Sequence, residues 1–244
     1  MKRILVTGAG GSAGINFIES LRMVKESFYI VGGDINRWHL ELPRIDKAYL
    51  MPYYNDPDYI SKLNKLIEKE KIELVHVQPD IELDVILEHR EEIGARVFLP
   101  AKDTLQTCRS KIATNLILKR NKIPIPFSCQ IKRVEDIPNI MKTLQKKNKL
   151  VWLRAIKGAG SKAALPVWSF RQAKEWIHYW RATKRLESKD FMLAEYLPGQ
   201  EFAFQSLWKN GKLITSQARS RLEYYMGNLF PSGQSSSPSV AATV

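Results

Sequence analysis

The sequence predicts an α/β chain in two parts, a doubly wound parallel sheet followed by an α+β domain. Over residues 1–100, short apolar runs alternate with segments of helical period. After Pro100 the texture changes to a long amphipathic stretch that stops at Asn121, Pro124 and Pro126. The charge changes sign at the same place. Residues 1–100 hold 13 Lys and Arg against 16 Asp and Glu, a net −3, whereas residues 101–244 hold 25 against 9, a net +16. Such asymmetry points to a polyanionic partner or to acidic groups lying outside the chain.

Taken in order, Ile4–Thr7 is a strand, Gly8–Gly14 a glycine turn, and Ile15, Phe17, Ile18, Leu21 and Val24 recur at helical spacing. Strands follow at 28–33, 74–78 and 97–99, separated by helices over 57–70 and 81–92, the alternation expected of βαβ units. From Asp103 one long helix carries Leu105, Ile112, Leu116 and Ile117. Beyond it come a strand at 128–131, a helix at 135–147, the strand 150–156, a loop over 157–164, a strand at 165–168 and a helix at 169–184. Phe191–Leu197 and Glu201–Trp208 are strands, the latter turning at Lys209-Asn210-Gly211-Lys212 into 213–217. The Ser-rich stretch 231–238 is low in complexity. Domain boundaries are expected at 102 and 190.

Composition excludes several classes. No apolar run approaches the roughly 18 residues of a bilayer span, and the N-terminus lacks the pattern of a signal peptide. Cys108 and Cys129 lack the spacing of a disulfide framework or thiolate site. A soluble, cytoplasmic protein is expected.

The spacing Gly8-x-x-Gly11-x-x-Gly14, with Asp34 at the end of the second strand, resembles the fingerprint of the extended short-chain dehydrogenases, where a helix N-terminus holds the pyrophosphate and the acid the ribose of NAD. Those enzymes also need a Tyr-x-x-x-Lys pair, and none is present. Tight packing of a strand-to-helix turn demands the same glycines.

The second part carries four features in order: Lys111 on a helix, Arg154 inside an apolar strand, the loop Lys157-Gly-Ala-Gly-Ser-Lys162, and an apolar strand ending around Glu195 and Glu201. A guanidinium in a core strand needs an anion, since an unpaired buried charge is costly. Glycines between lysines let backbone N–H groups approach phosphate oxygens, and a purine can lie along a strand whose carboxylate meets its ribose.

This order of residues resembles the ATP-grasp superfamily, in particular the carbamoyl-phosphate-synthase-like proteins. The resemblance implies an N-terminal Rossmann-like, pre-ATP-grasp sheet over 1–102, the linker helix and lid subdomain of an α+β ATP-grasp domain over 103–190, and the start of its C-terminal subdomain over 191–244. Val77-Gln78-Pro79-Asp80-Ile81-Glu82 looks like a family segment, and Asp80, Glu82 and Asp84 are expected to cap the next helix or meet substrate. Lys111 and Arg154 match the phosphate cations, Gly158, Ala159, Gly160 and Ser161 the closing loop, Glu195, Tyr196 and Leu197 the adenine hinge, and Glu201 the ribose carboxylate. Arg219 and Arg221 are candidates for the γ-phosphate or a substrate carboxylate.

In that family Mg²⁺ is held by late carboxylates, and after Glu201 this sequence has only Glu223. The chain is therefore expected to be C-terminally incomplete, with its Mg²⁺ ligands on further polypeptide, and not to turn over ATP by itself. A homodimer or a completing partner chain is expected. The implied activity is that of an ATP-dependent carboxylate-amine ligase, its substrate a small carboxylate, amine or ammonia. A non-catalytic nucleotide- or partner-binding protein is the alternative. Nucleic-acid binding, suggested by the pI of 9.7 and the tract Lys142-x-x-x-Lys146-Lys147-Asn-Lys149, carries no recognition motif and is not expected on that basis.

Overall fold

A computed structural model describes residues 1–146, 148–158, 163–224 and 239–243. The chain divides into two compact units, Met1–Leu105 and Gln106–Val244.

The first unit is a five-stranded parallel sheet in the order β3-β2-β1-β4-β5, formed by β1 (Lys2–Thr7), β2 (Phe28–Asp34), β3 (Lys47–Leu50), β4 (Leu74–Val77) and β5 (Arg96–Val97). Connections from β1 run toward β2 and those after β3 toward β4, so the switch point of the winding lies between β1 and β4. Central β1 is buried from Ile4 onward because helices cover both faces: α1 (Ser12–Arg22) on one side, α2 (Tyr59–Glu70) and α3 (Leu83–Glu88) on the other. Ile4, Val6, Ile18 and Ile30 pack in one cluster, and Leu5, Val31, Leu63, Val75 and Ile86 in another.

Strand β3 falls where the sequence pattern assigns no element. Its residues are mostly exposed and do not alternate, so it exists through backbone pairing to β2 and not through burial. In the family-like segment the capping half of the expectation fails for Glu82. Glu82 stands at the N-cap position of α3, yet its side chain makes no capping hydrogen bond and is buried instead. Burial, reinforced by the charge of Asp34, holds its carboxyl above the ordinary glutamate range.

The long helix expected after Asp103 is two helices, α4 (Lys102–Arg109) and α5 (Lys111–Arg120). Ser110 takes an extended conformation between them, and its hydroxyl accepts the N–H of Ala113 at 3.3 Å, which starts α5 afresh.

The second unit holds a four-stranded antiparallel sheet in the order β6-β9-β7-β8, from β6 (Ser128–Gln130), β7 (Val151–Ala155), β8 (Leu165–Val167) and β9 (Phe191–Glu195). Helices α6 (Ile137–Leu144) and α7 (Phe170–Lys184) bury Met141, Leu144, Ala173 and Ile177 against Val151, Leu153, Phe191 and Leu193. A second antiparallel sheet, β10 (Glu201–Lys209), β11 (Lys212–Tyr224) and β12 (Ser239–Thr243), follows. Its hairpin turns where Asn210 and Gly211 both have positive φ, 49° and 73°, the turn read from the sequence.

Candidate functional site

Strand β7 has two faces. Val151, Leu153 and Ala155 enter the core, whereas Trp152 and Arg154 alternate onto the opposite side, with Ile156 just beyond the strand. In register with them on β9 are Ala194 opposite Trp152 and Met192 opposite Arg154. Ile156, Met192 and Ala194, joined by Ile112 of α5 and by Trp152, form a small apolar patch on this second face. Arg154 emerges from within that patch. Its Nε is buried without a hydrogen-bond partner, and burial lowers its pKa from the ordinary guanidinium value.

Lys111, the first residue of α5, grips the exit of β7 twice. Its backbone N–H donates to the carbonyl of Ile156 at 3.1 Å, and its ammonium donates to the carbonyls of Ile156 at 3.3 Å and Gly158 at 2.9 Å. A cation is thus fixed where a helix N-terminus meets the start of the glycine loop, an arrangement that suits a phosphate. Gly158 has a φ of +101°, which a glycine adopts without strain. Ala159, Gly160 and Ser161 lie outside the described residues.

Glu195 ends β9 with its carboxylate turned away from the patch. Oε2 accepts the N–H of Phe127 at 2.8 Å, tying the strand end to the segment that leads into β6. Tyr196 is half-buried, its ring 6.4 Å from that of Trp152, and Leu197 is 67% exposed. An exposed Glu201 opens β10 and lies opposite Arg221 in the backbone register, with Ala203 opposite Arg219. The Arg219 guanidinium donates to the side-chain carbonyls of Gln205 and, at 3.2 Å, Gln217. These amide partners, on neighbouring strand positions, are contacts that spacing alone did not reveal.

In the first unit, the glycine turn is filled by protein. A Cβ on Gly8 would lie 2.6 Å from the Pro79 ring, and one on Gly10 would lie 2.3 Å from the backbone carbonyl of His39. The Asp34 carboxylate accepts the N–H groups of Gly10 at 3.2 Å and Asn36 at 3.0 Å. Both halves of the dinucleotide-like fingerprint are therefore engaged within the fold. Among the described residues no three His, Cys, Asp or Glu side chains come together as a metal site, and no helix is long and apolar enough to cross a membrane.

No family model and no curated protein matches the sequence. Solved structures do. An L-amino acid ligase from Bacillus licheniformis superposes with a TM-score of 0.65 at 15% identity, over 94% of this chain and 52% of its own. N5-carboxyaminoimidazole ribonucleotide synthetase from Thermotoga maritima gives 0.62 at 16%, over 90% and 53%. The biotin carboxylase domain of Hydrogenobacter thermophilus 2-oxoglutarate carboxylase, solved with MgADP, ADP and bicarbonate, gives 0.66 at 18%, over 90% and 50%. This chain spans about half the length of each. Over that span it has the ATP-grasp fold.

Proposed function

We propose that the chain binds ATP on the second face of the four-stranded sheet and serves ATP-dependent ligation of a carboxylate to an amine or ammonia. The observation that carries this reading is Arg154, a guanidinium with its Nε buried and unpartnered in an apolar patch. A phosphate oxygen would give that group the charge-assisted hydrogen bond it lacks. Lys111 would hold a second phosphate at the N-terminus of α5, with the loop from Gly158 through Ala159 and Gly160 to Ser161 over it. The patch of Trp152, Ile156, Met192 and Ala194 offers a base an apolar wall, and the backbone of Glu195, Tyr196 and Leu197 offers it hydrogen bonds. Glu201, which opens β10, would meet the ribose hydroxyls.

ATP supplies the γ-phosphoryl group that converts a carboxylate into an acyl phosphate, from which an amine then displaces phosphate. The chain's own share is to place cations and exclude water. Arg219, and Arg221 two residues on, would meet the phosphoryl or substrate carboxylate only if Arg219 exchanged its Gln205 and Gln217 contacts for that anion. Mg²⁺, when bound, would neutralise charge on the phosphate oxygens. The structural neighbours solved with ADP, ATP, MgADP and bicarbonate support this reading.

Calorimetric titration of Arg154→Met with ATP and with adenosine tests it. ATP should weaken by roughly tenfold or more, as expected for a lost charge-assisted pair, with adenosine unchanged. Equal loss for both ligands would remove Arg154 from the phosphates.

A further inference from the structure

The positive charge of the second unit exceeds what a triphosphate site employs. Residues 103–190 carry 20 Lys and Arg against 6 Asp and Glu. Lys111, Arg154, Lys157 and Lys162 belong to the proposed nucleotide site, which leaves sixteen cations against those six acids.

Helix α7 shows where part of the surplus goes. Arg171, Lys174, His178 and Arg181 follow one another at spacings of three, four and three, so they share one side of the helix, and Arg185, its left-handed C-cap with a φ of 57°, follows at the helix end. All five are exposed. From Arg171 to Arg185 the row is roughly 21 Å long, with a basic residue about every 5 Å. The opposite side of α7 is spent on the core, where Ala173 and Ile177 are buried and Trp176 and Trp180 pack against the sheet. Only Arg181 has an acidic partner among the described salt bridges, Glu187 at 3.4 Å, and both side chains are largely in solvent, where such a pair exchanges readily. Helix α6, which packs beside α7, carries exposed Lys142, and exposed Lys146 lies in the turn after it.

We infer that this face of α7 is a docking surface for the phosphodiester backbone of a nucleic acid, read without regard to base sequence. A row of cations along a rigid rod matches a linear polyanion, and three of the five are arginines, whose planar fork takes two phosphate oxygens at once. A bilayer fits less well, because a row one residue wide follows a single linear strand more closely than it covers a lipid surface, although Phe170 and Tyr179 of α7 are also exposed.

The test is binding of a fluorescein-labelled single strand of about 20 nucleotides, as polyuridine RNA and as polydeoxythymidine DNA, to the whole chain across a salt series. The combined variant Arg171→Gln, Lys174→Gln, Arg181→Gln, Arg185→Gln should lose at least about tenfold in affinity at low salt. Its slope of log affinity against log salt should flatten by about 2 to 3. A control of equal charge change, Lys25→Gln, Lys47→Gln, Lys65→Gln, Lys102→Gln, should retain both, as should Arg154→Met, and circular dichroism should show every variant folded. Loss confined to the polyuridine arm would make the surface one for RNA, and equal loss in both arms one for either strand. Equal weakening of stripe and control variants, loss on Arg154→Met, or absence of binding by the unmodified chain would overturn the inference. So would a stripe variant that still binds both strands but no longer binds vesicles of anionic phospholipid.

Discussion

Glu195 holds Phe127 by both of its groups: its backbone N–H donates to the Phe127 carbonyl at 2.9 Å, and its carboxylate accepts the Phe127 N–H at 2.8 Å. The segment between α5 and β6 is thereby fixed to the end of β9, sixty-eight residues away. Removing the carboxylate in Glu195→Ala should cost about 1 kcal/mol, while Glu195→Gln, which keeps an acceptor oxygen, should cost less. Urea unfolding of the two variants measures the difference, and identical midpoints would show that the carboxylate contributes nothing.

The ammonium of Lys111 makes a comparable tie at the other end of the patch. In Lys111→Ala the carbonyl of Gly158 loses its donor, and the peptide bond after Lys157 should become several times more sensitive to trypsin in the absence of nucleotide. Unchanged cleavage would mean that the loop entrance is held by its backbone alone.

Glycine substitutions separate packing from ligand binding in the first unit. Gly10→Ala drives a methyl group into the backbone of His39, whereas Gly11→Ala brings one no nearer than 3.3 Å to the Gly8 carbonyl. Thermal unfolding without any nucleotide should therefore show a loss of about 1 to 3 kcal/mol for Gly10→Ala and distinctly less for Gly11→Ala. Similar losses at both positions would contradict the packing account.

Glu82 gives a pH dependence of defined sign. Its carboxyl pKa is raised in the folded chain, chiefly by burial, so the fold is best served below the ordinary glutamate range and is penalised as pH rises through the folded value. Gln cannot ionise. Glu82→Gln should gain stability relative to the unaltered chain as pH increases toward neutrality, with the gap closing in acid. A constant difference across pH would place the charge of Glu82 elsewhere than in this buried setting.

How far the sequence could be read follows from these residues. Strands β1, β2, β4, β7 and β9 are apolar runs whose burial is their own signal, and the fold class was legible from them. Strand β3 was not, since an edge strand held by backbone pairing leaves no hydrophobic pattern. Nor was the break at Ser110, because α4 and α5 carry apolar residues at spacings that continue across it. Arg154 stood out in the sequence because a charge interrupts an apolar strand. The grip of Lys111 on Gly158 and of Glu195 on Phe127 joins residues 47 and 68 positions apart, and no local pattern encodes either.

The two-sidedness of β7 has a consequence for how this protein tolerates change. At Val151, Leu153 and Ala155 the neighbours are close-packed, and only replacements of similar volume will keep the chain folded. Trp152 and Arg154, one peptide unit away in each case, face the smaller patch of Ile156, Met192 and Ala194 and lie outside that core. Alternate codons of one short stretch are thus subject to independent selection, one set for persistence of the molecule and the other for what it holds. A library randomised at 152 and 154 alone would vary the second face while leaving Val151, Leu153 and Ala155 in place.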